Sequence, residues 1–418
     1  MNLFKKCLSL LLLLSPALVY AQDTINYDES KVLPYKLPEL MRCNDGREVK
    51  TVEEWEQIRR PELIELFRDQ IYGRNPQEKI NVSYQIASDK MVFGGKARRQ
   101  EIKFIFAKAN QKHEAVLLLF LPTNAKKPVP VFMGYNFSGN QTVSADTTIA
   151  FSPSLSLIKK KDDPNIQRGV QAKRWPAEMI IDNGFALATM CYHDVYPDVA
   201  GFKNVSIMSL FSDYDTYKDK PDAWQAIGVW AWGLSRIADY LITRPEINPE
   251  QIAVMGHSRN GKVALWAGAL DKRFAIVISN ESGEGGAALS HRNYGENIWH
   301  VSTLGPGWFC YNYNKYRADA QLLPVDSHEL IALIAPRPVY VASAVEDRWS
   351  DPYGEYLGAY YASPAYKLYG LKGLTTDKQP ALNHPVMTRV GYHIRDGKHD
   401  VTNFDWQSYI TFAKMYFH

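Results

Sequence analysis

Cysteine is scarce in this chain, with only Cys7, Cys43, Cys191 and Cys310 among 418 residues. None forms the close pair that a zinc or redox motif needs. Cys7 lies in the expected leader, before its apolar run, so the other three allow at most one intrachain disulfide. An excess of charge is also missing, since 48 basic residues face 45 acidic ones. That balance argues against an electrostatic binder of nucleic acid or membrane surface. Beyond the first residues, no apolar run reaches the ~20 residues of a spanning helix. Fixed-period repeats, low-complexity tracts and flexible linkers are absent too.

What is present begins with "MNLFKKCLSLLLLLSPALVYAQ", two lysines, an apolar run and small-residue spacing ending at Ala21. It reads as a secretory signal peptide over residues 1–21. Export to the periplasm or the extracellular space is therefore expected, with a soluble mature protein. Residues 22–418 are expected to form one domain, with a helical and β lead-in over 22–95. The 10 Trp and 25 Tyr supply many flat rings. Such rings serve cores as often as sugar clefts.

Along the chain, "PELIELFRDQIYGRNP" places Leu63, Leu66, Phe67 and Ile71 on one helical face and stops at Gly73. "INVSYQIA", "RQEIKFIFAKA" and "EAVLLLFLP" predict consecutive antiparallel strands. From "VPVFMGYNFSGN" onward, short apolar runs such as "FALATMC", "IAVMG", "FAIVISN" and "RPVYVASA" alternate with helical segments. Strands buried on both faces read this way. The expected class is α/β, an α/β-hydrolase fold with a mostly parallel sheet and antiparallel strands at its start. Residues 141–170 are expected to form a long loop, a candidate wall for a cleft.

"IAVMGHSRNGKVALWAGAL" puts Ser258 between a strand and a helix, with Gly256 two residues before it. A nucleophilic serine of this fold sits on such a sharp turn. The second glycine is displaced, for Asn260 holds the +2 position and Gly261 follows; asparagine tolerates positive φ better than most residues. A plain helix-capping serine is the alternative. Order favours the nucleophile, because acids and a histidine follow on later strand ends. His399, after the turn at Gly397, is the expected base. His393 reads as packed within a strand, His384 as irregular, and His328 as structural beside an Asp326–Glu329 capping box. Glu281 in "NESGEGGAA" and Asp347 in "AVEDRWSDP" both qualify as the orienting acid. Glu284, Glu346 and Asp351 compete by proximity, and the choice stays open.

"GHSRNGK", "ISNESGEGGAALSHRNYGENIW", "DSHELIALIAPRP" and "VEDRWSDPYGE" together resemble the glucuronoyl esterases, carbohydrate esterase family fifteen. The resemblance spans about Asn136 to His399, with "NFSGN" and "RWPAE" as further matches. It implies metal-free, cofactor-free acyl transfer that cleaves esters of 4-O-methyl-glucuronate on xylan, including links to lignin alcohols. Carried across, Ser258 is the nucleophile, His399 the base and Glu281 the acid, with Asp347 at a position where many bacterial members also keep one. Arg259 would serve the oxyanion, and Lys262, Glu296 and Trp349 would meet the sugar. The departures are His257, where fungal members have cysteine, and a looser "DGKHD" around the histidine. The implied partner is glucuronoxylan or a glucuronate ester, with no nucleic acid and no membrane span, and a monomer is expected. An acetylxylan or general carboxylesterase, and a non-catalytic glycan-binding protein on a hydrolase scaffold, are the competing readings.

Overall fold

The computed structural model describes residues 25–160, 162–199, 205–211, 220–305 and 307–417, so the expected signal peptide lies outside the described residues. The strands are β1 (Asn81–Val92), β2 (Ala97–Lys108), β3 (Gln111–Pro122), β4 (Val129–Asn136), β5 (Ala186–Cys191), β6 (Ile247–His257), β7 (Phe274–Asn280), β8 (Val339–Ala344), β9 (Val386–Met387) and β10 (Val390–Arg395). They form one sheet in the order β1-β2-β3-β5-β4-β6-β7-β8-β10-β9. β1, β2 and β3 pair antiparallel and join the rest through β5. From β5 to β10 the pairing is parallel. The expected hairpin start and parallel body are both present, on one continuous sheet.

The apolar runs are continuous because alternate residues serve two cores. Val131 and Met133 of β4 enter one cluster, and Phe132 between them enters the other. On the first face lie helix α1 (residues 52–72), α2 (Ala226–Leu241) and α3 (Arg259–Leu270), which bring Trp55, Trp230 and Trp266. The other face is covered by the short helix Ala177–Asp182 and the terminal helix Asn403–Lys414, with Ile180, Trp406 and Tyr409. α1 starts earlier than its apolar face suggested, at a capping box between Thr51 and Glu54, and ends at Gly73 with φ 83°.

The long segment after β4 corrects one expectation. It packs onto the sheet, where Arg99 Nη1 donates to Asp146 at 2.7 Å and Gln141 Nε2 donates to the Ile166 carbonyl at 3.1 Å. Its described residues contribute no lining to the cleft below, which is walled by Asp198, Val199, Glu296, His300, Val301 and Trp308 instead. Cys43, Cys191 and Cys310 are buried free thiols. No helix among the described residues is long and apolar enough to cross a membrane.

Candidate active site

Four neighbouring strands, β6, β7, β8 and β10, end on the same rim of the sheet. Ser258, Glu281, Asp347 and His399 follow them in that order. In open parallel sheets this carboxyl rim is where ligands bind. A cleft of about 700 Å³ opens there, lined by Ser258, Arg259, Lys262, Glu296, Trp349 and His399 among others.

Ser258 has φ 56° and ψ −131°, and its side chain makes no capping hydrogen bond to the helix it precedes. The capping alternative therefore fails, and a positive φ in a non-glycine residue is the strained geometry of a sharp strand-to-helix turn. Gly256 makes the turn possible, because a Cβ there would stand 1.8 Å from the Asn260 carbonyl oxygen. The Ser258 N–H donates to the Asn280 carbonyl at 2.8 Å, tying the turn to β7. The serine hydroxyl is thereby left for the cleft.

His399 meets both candidate acids. Its Nδ1–H donates to Asp347 Oδ2 at 2.7 Å, and Glu281 Oε2 lies 3.1 Å from the same nitrogen. Nε2, the opposite ring nitrogen, is then the one available to the serine. Glu281, at φ 47°, is also gripped by Arg395 Nη2 at 2.5 Å and by the Asp400 N–H at 3.0 Å. Asp405 anchors Arg395 Nε at 2.8 Å, and His393 Nε2–H donates to the same carboxylate at 2.8 Å. Burial pushes the Glu281 carboxyl up, with His399 and Arg395 opposing. Burial alone would lower the His399 imidazole, but its bonds to Asp347 and Glu281 carry it above the usual histidine value. His257 packs against His399 with ring centroids 4.4 Å apart, and burial holds it neutral, well below that value.

The other acids are engaged elsewhere or stand apart. Glu284 accepts from Ser290 at 2.5 Å, Asp351 accepts from Arg292 at 2.8 Å, and Glu346 is exposed. His328 is buried beside the capping box and donates to the Pro38 carbonyl at 3.1 Å, while His384 is exposed. Among the described residues one group of metal-type donors occurs, His257, Glu281 and His399, with ligand atoms within 4.8 Å of one another. Two of these already share the acid–imidazole contact, which suits proton transfer.

Lys262, Glu296 and Trp349 form one unit. Lys262 is 2% exposed and donates to the Ser282 carbonyl and to Glu296 Oε1, the latter at 3.2 Å. Glu296 Oε2 accepts the Trp349 indole N–H at 2.8 Å. Gly283 permits this closeness, since a Cβ there would lie 2.0 Å from Glu296 Oε1. The unfavourable place of a cation in the first turn of a helix is thus offset by a buried carboxylate. His300 stands edge-on to Trp349 at 5.2 Å. On the other side, Arg259 pairs with Asp198 and lies 4.4 Å over the Trp308 ring. Asp198, His300 and Trp308 were not assigned from sequence. Trp308 opens the aromatic run "WFCYNYNKY", which fits a cleft or a core equally well, and the other two carried no motif outside the resemblance.

Fold and rim together define an α/β-hydrolase with the machinery of a carboxylic-ester hydrolase. The family model described as "Glucuronyl esterase, fungi" matches residues 177–370. Carbohydrate esterase MZ0003, from an unknown prokaryotic organism, is 41% identical over 94% of this chain and 93% of its own. The glucuronoyl esterase of Solibacter usitatus superposes with a TM-score of 0.88 at 42% identity, covering 93% of this chain and all of that one. A promiscuous esterase of the same family, from a marine bacterial metagenome, gives 0.85 at 40% identity over 94% of this chain and 99% of its own. The chain belongs to the glucuronoyl esterases, carbohydrate esterase family fifteen.

Proposed function

We propose that this chain hydrolyses esters of 4-O-methyl-glucuronate carried on xylan, through a glucuronoyl-enzyme on Ser258. The observation that carries this is one cleft holding both the serine elbow with its imidazole and the Lys262–Glu296–Trp349 unit. Curated relatives support the substrate: the Wolfiporia cocos protein named 4-O-methyl-glucuronoyl methylesterase 1 is 31% identical over 60% of this chain and 64% of its own.

In the first half-reaction His399 Nε2 takes the Ser258 proton as Oγ attacks the ester carbonyl. The proton then passes to the departing alcohol, and the acyl group stays on Oγ. Water then attacks the acyl carbon as it gives a proton to the same nitrogen, and that proton returns to Oγ as the acyl–Oγ bond breaks and the uronic acid leaves. Both tetrahedral species carry negative charge on the former carbonyl oxygen. The N–H after the nucleophile and the Arg259 guanidinium are the donors for it. Lys262, Glu296 and Trp349 contact the uronate ring. Asp347 and Glu281 hold the imidazole and the positive charge it gains.

Ser258→Ala is expected to lower turnover of benzyl glucuronate by on the order of a million-fold with an unchanged circular dichroism spectrum. Retained turnover in the purified variant would end the assignment. A broader carboxylesterase activity is the second reading, favoured by the relative described as promiscuous. Comparing benzyl glucuronate with acetylated xylan and 4-nitrophenyl acetate separates the two. On the leader-like residues 1–21 we also infer export. The N-terminal sequence of protein secreted with its own leader tests this, with Gln22 expected first.

A further inference from the structure

Asp198 lies in "YHDVYPDVAG", a stretch with no chemical motif, yet three side chains converge on it, two of them lining the cleft. Its Oδ1 accepts the Trp308 indole N–H at 2.7 Å. Its Oδ2 accepts from Arg259 Nη1 and from the Tyr192 hydroxyl, the latter at 3.2 Å. Its own N–H donates to His193 Nδ1 at 3.0 Å, which fixes the backbone under the carboxylate. Trp308 and Arg259 then stack on each other, so the guanidinium is held by charge at its tip and by a ring across its face.

An exposed ion pair contributes little, but this one differs in kind. The Asp198 side chain is 11% exposed and has three partners, and the Arg259 side chain, 31% exposed, borders the cleft directly after the nucleophile. The bond uses Nη1, which leaves Nη2 outside the contact with Asp198, while Nε is buried and without a partner among the described residues. An unrestrained arginine samples many rotamers. Donors aimed before the reaction stabilise a developing oxyanion far better than donors that must be gathered.

We propose that Asp198 is the positioning residue for this arginine: it holds the guanidinium against Trp308 so that its free donors face the oxyanion formed at the carbonyl Ser258 attacks. This rests on the oxyanion role given to Arg259 above. Asp198 itself touches neither the serine nor the sugar unit. Its loss is therefore expected in the rate of the chemical step and not in ground-state binding.

A double-mutant cycle on Asp198→Ala and Arg259→Ala tests this on benzyl glucuronate and on 4-nitrophenyl acetate. Both esters develop the same oxyanion, and only the first engages Lys262, Glu296 and Trp349. Each single substitution is expected to lower kcat by roughly 10- to 100-fold on both esters and to leave KM within about threefold. The double variant is expected to be no slower than Arg259→Ala alone, because the two residues act as one unit. Asp198→Asn guards against misfolding: it keeps the shape, should melt near the wild type, and should still lose rate because one amide oxygen cannot serve both donors. Asp198→Glu, which keeps the charge, should recover part of the rate. Effects that multiply in the double variant, or a loss confined to KM, would overturn the positioning role. An Arg259→Ala variant with unchanged kcat on both esters would overturn it together with the arginine's assignment. A wild-type enzyme that turns over only the acetate ester would remove the uronate reading alone, and the cycle on acetate would still decide for or against Asp198.

Discussion

His399 faces two carboxylates where one suffices to orient an imidazole. Asp347 makes the shorter contact, and Glu281 is shared with Arg395 and the Asp400 N–H. Both acids favour the imidazolium, while catalysis starts from the neutral ring. The rate should therefore rise with pH through the raised imidazole value. Removing either acid lowers that value. Asp347→Asn and Glu281→Gln are each expected to move the acidic limb of the kcat/KM profile to lower pH and to reduce the plateau, by about 10- to 1,000-fold. A limb that stays in place in both variants would show that neither acid acts through His399. The sequence left the choice between these acids open for a physical reason: each follows a strand that ends beside the histidine, so spacing alone cannot rank them. Ser258 was legible because glycine, strand and helix frame it within a few residues.

The elements that carry the site were legible where apolar runs were short and well punctuated. The run "FAIVISN" became β7 over Phe274–Asn280, and the strand before the turn at Gly397 ends at Arg395. The start of α1 was missed because Trp55 and Ile58 precede Pro61, and the capping box in "TVEE" stood apart from the apolar face that drew attention. The cleft wall was misplaced for a different reason. Length suggested the 141–170 loop, whereas contacts far apart in sequence assemble the wall from Asp198, Val199, Glu296, His300, Val301 and Trp308. At this scale the elbow is the sharpest test of geometry. Gly256→Ala would drive a methyl group into the Asn260 carbonyl, so the turn must open. The expected outcome is a loss of about 2 kcal/mol or more in urea unfolding, with esterase activity lost more steeply than stability.

Across the whole molecule, one sheet joins the antiparallel lead-in to the parallel body; both faces of the parallel body are buried, while the edge strand β1 is largely exposed. The terminal helix closes the second face with Trp406, which is fully buried, meets Phe132 edge-on at 5.5 Å and donates its indole N–H to the Arg174 carbonyl at 2.8 Å. The neighbouring Asp405 reaches Glu281 through Arg395, so core packing and catalytic geometry share an element. Trp406→Ala should cost about 3–5 kcal/mol of stability, measured by denaturant unfolding, and should lower activity without any contact to the cleft. Wild-type activity at full folding would sever that connection. The central claim is covalent: an acyl group passes through Ser258. Mixing enzyme with excess benzyl glucuronate, quenching in acid within milliseconds and mapping peptides by mass spectrometry tests it directly. A glucuronoyl adduct on Ser258 that forms and decays at rates able to support turnover is the expected result. Turnover with the acyl group on another residue, or an unmodified Ser258 throughout a measurable pre-steady-state burst, would contradict it.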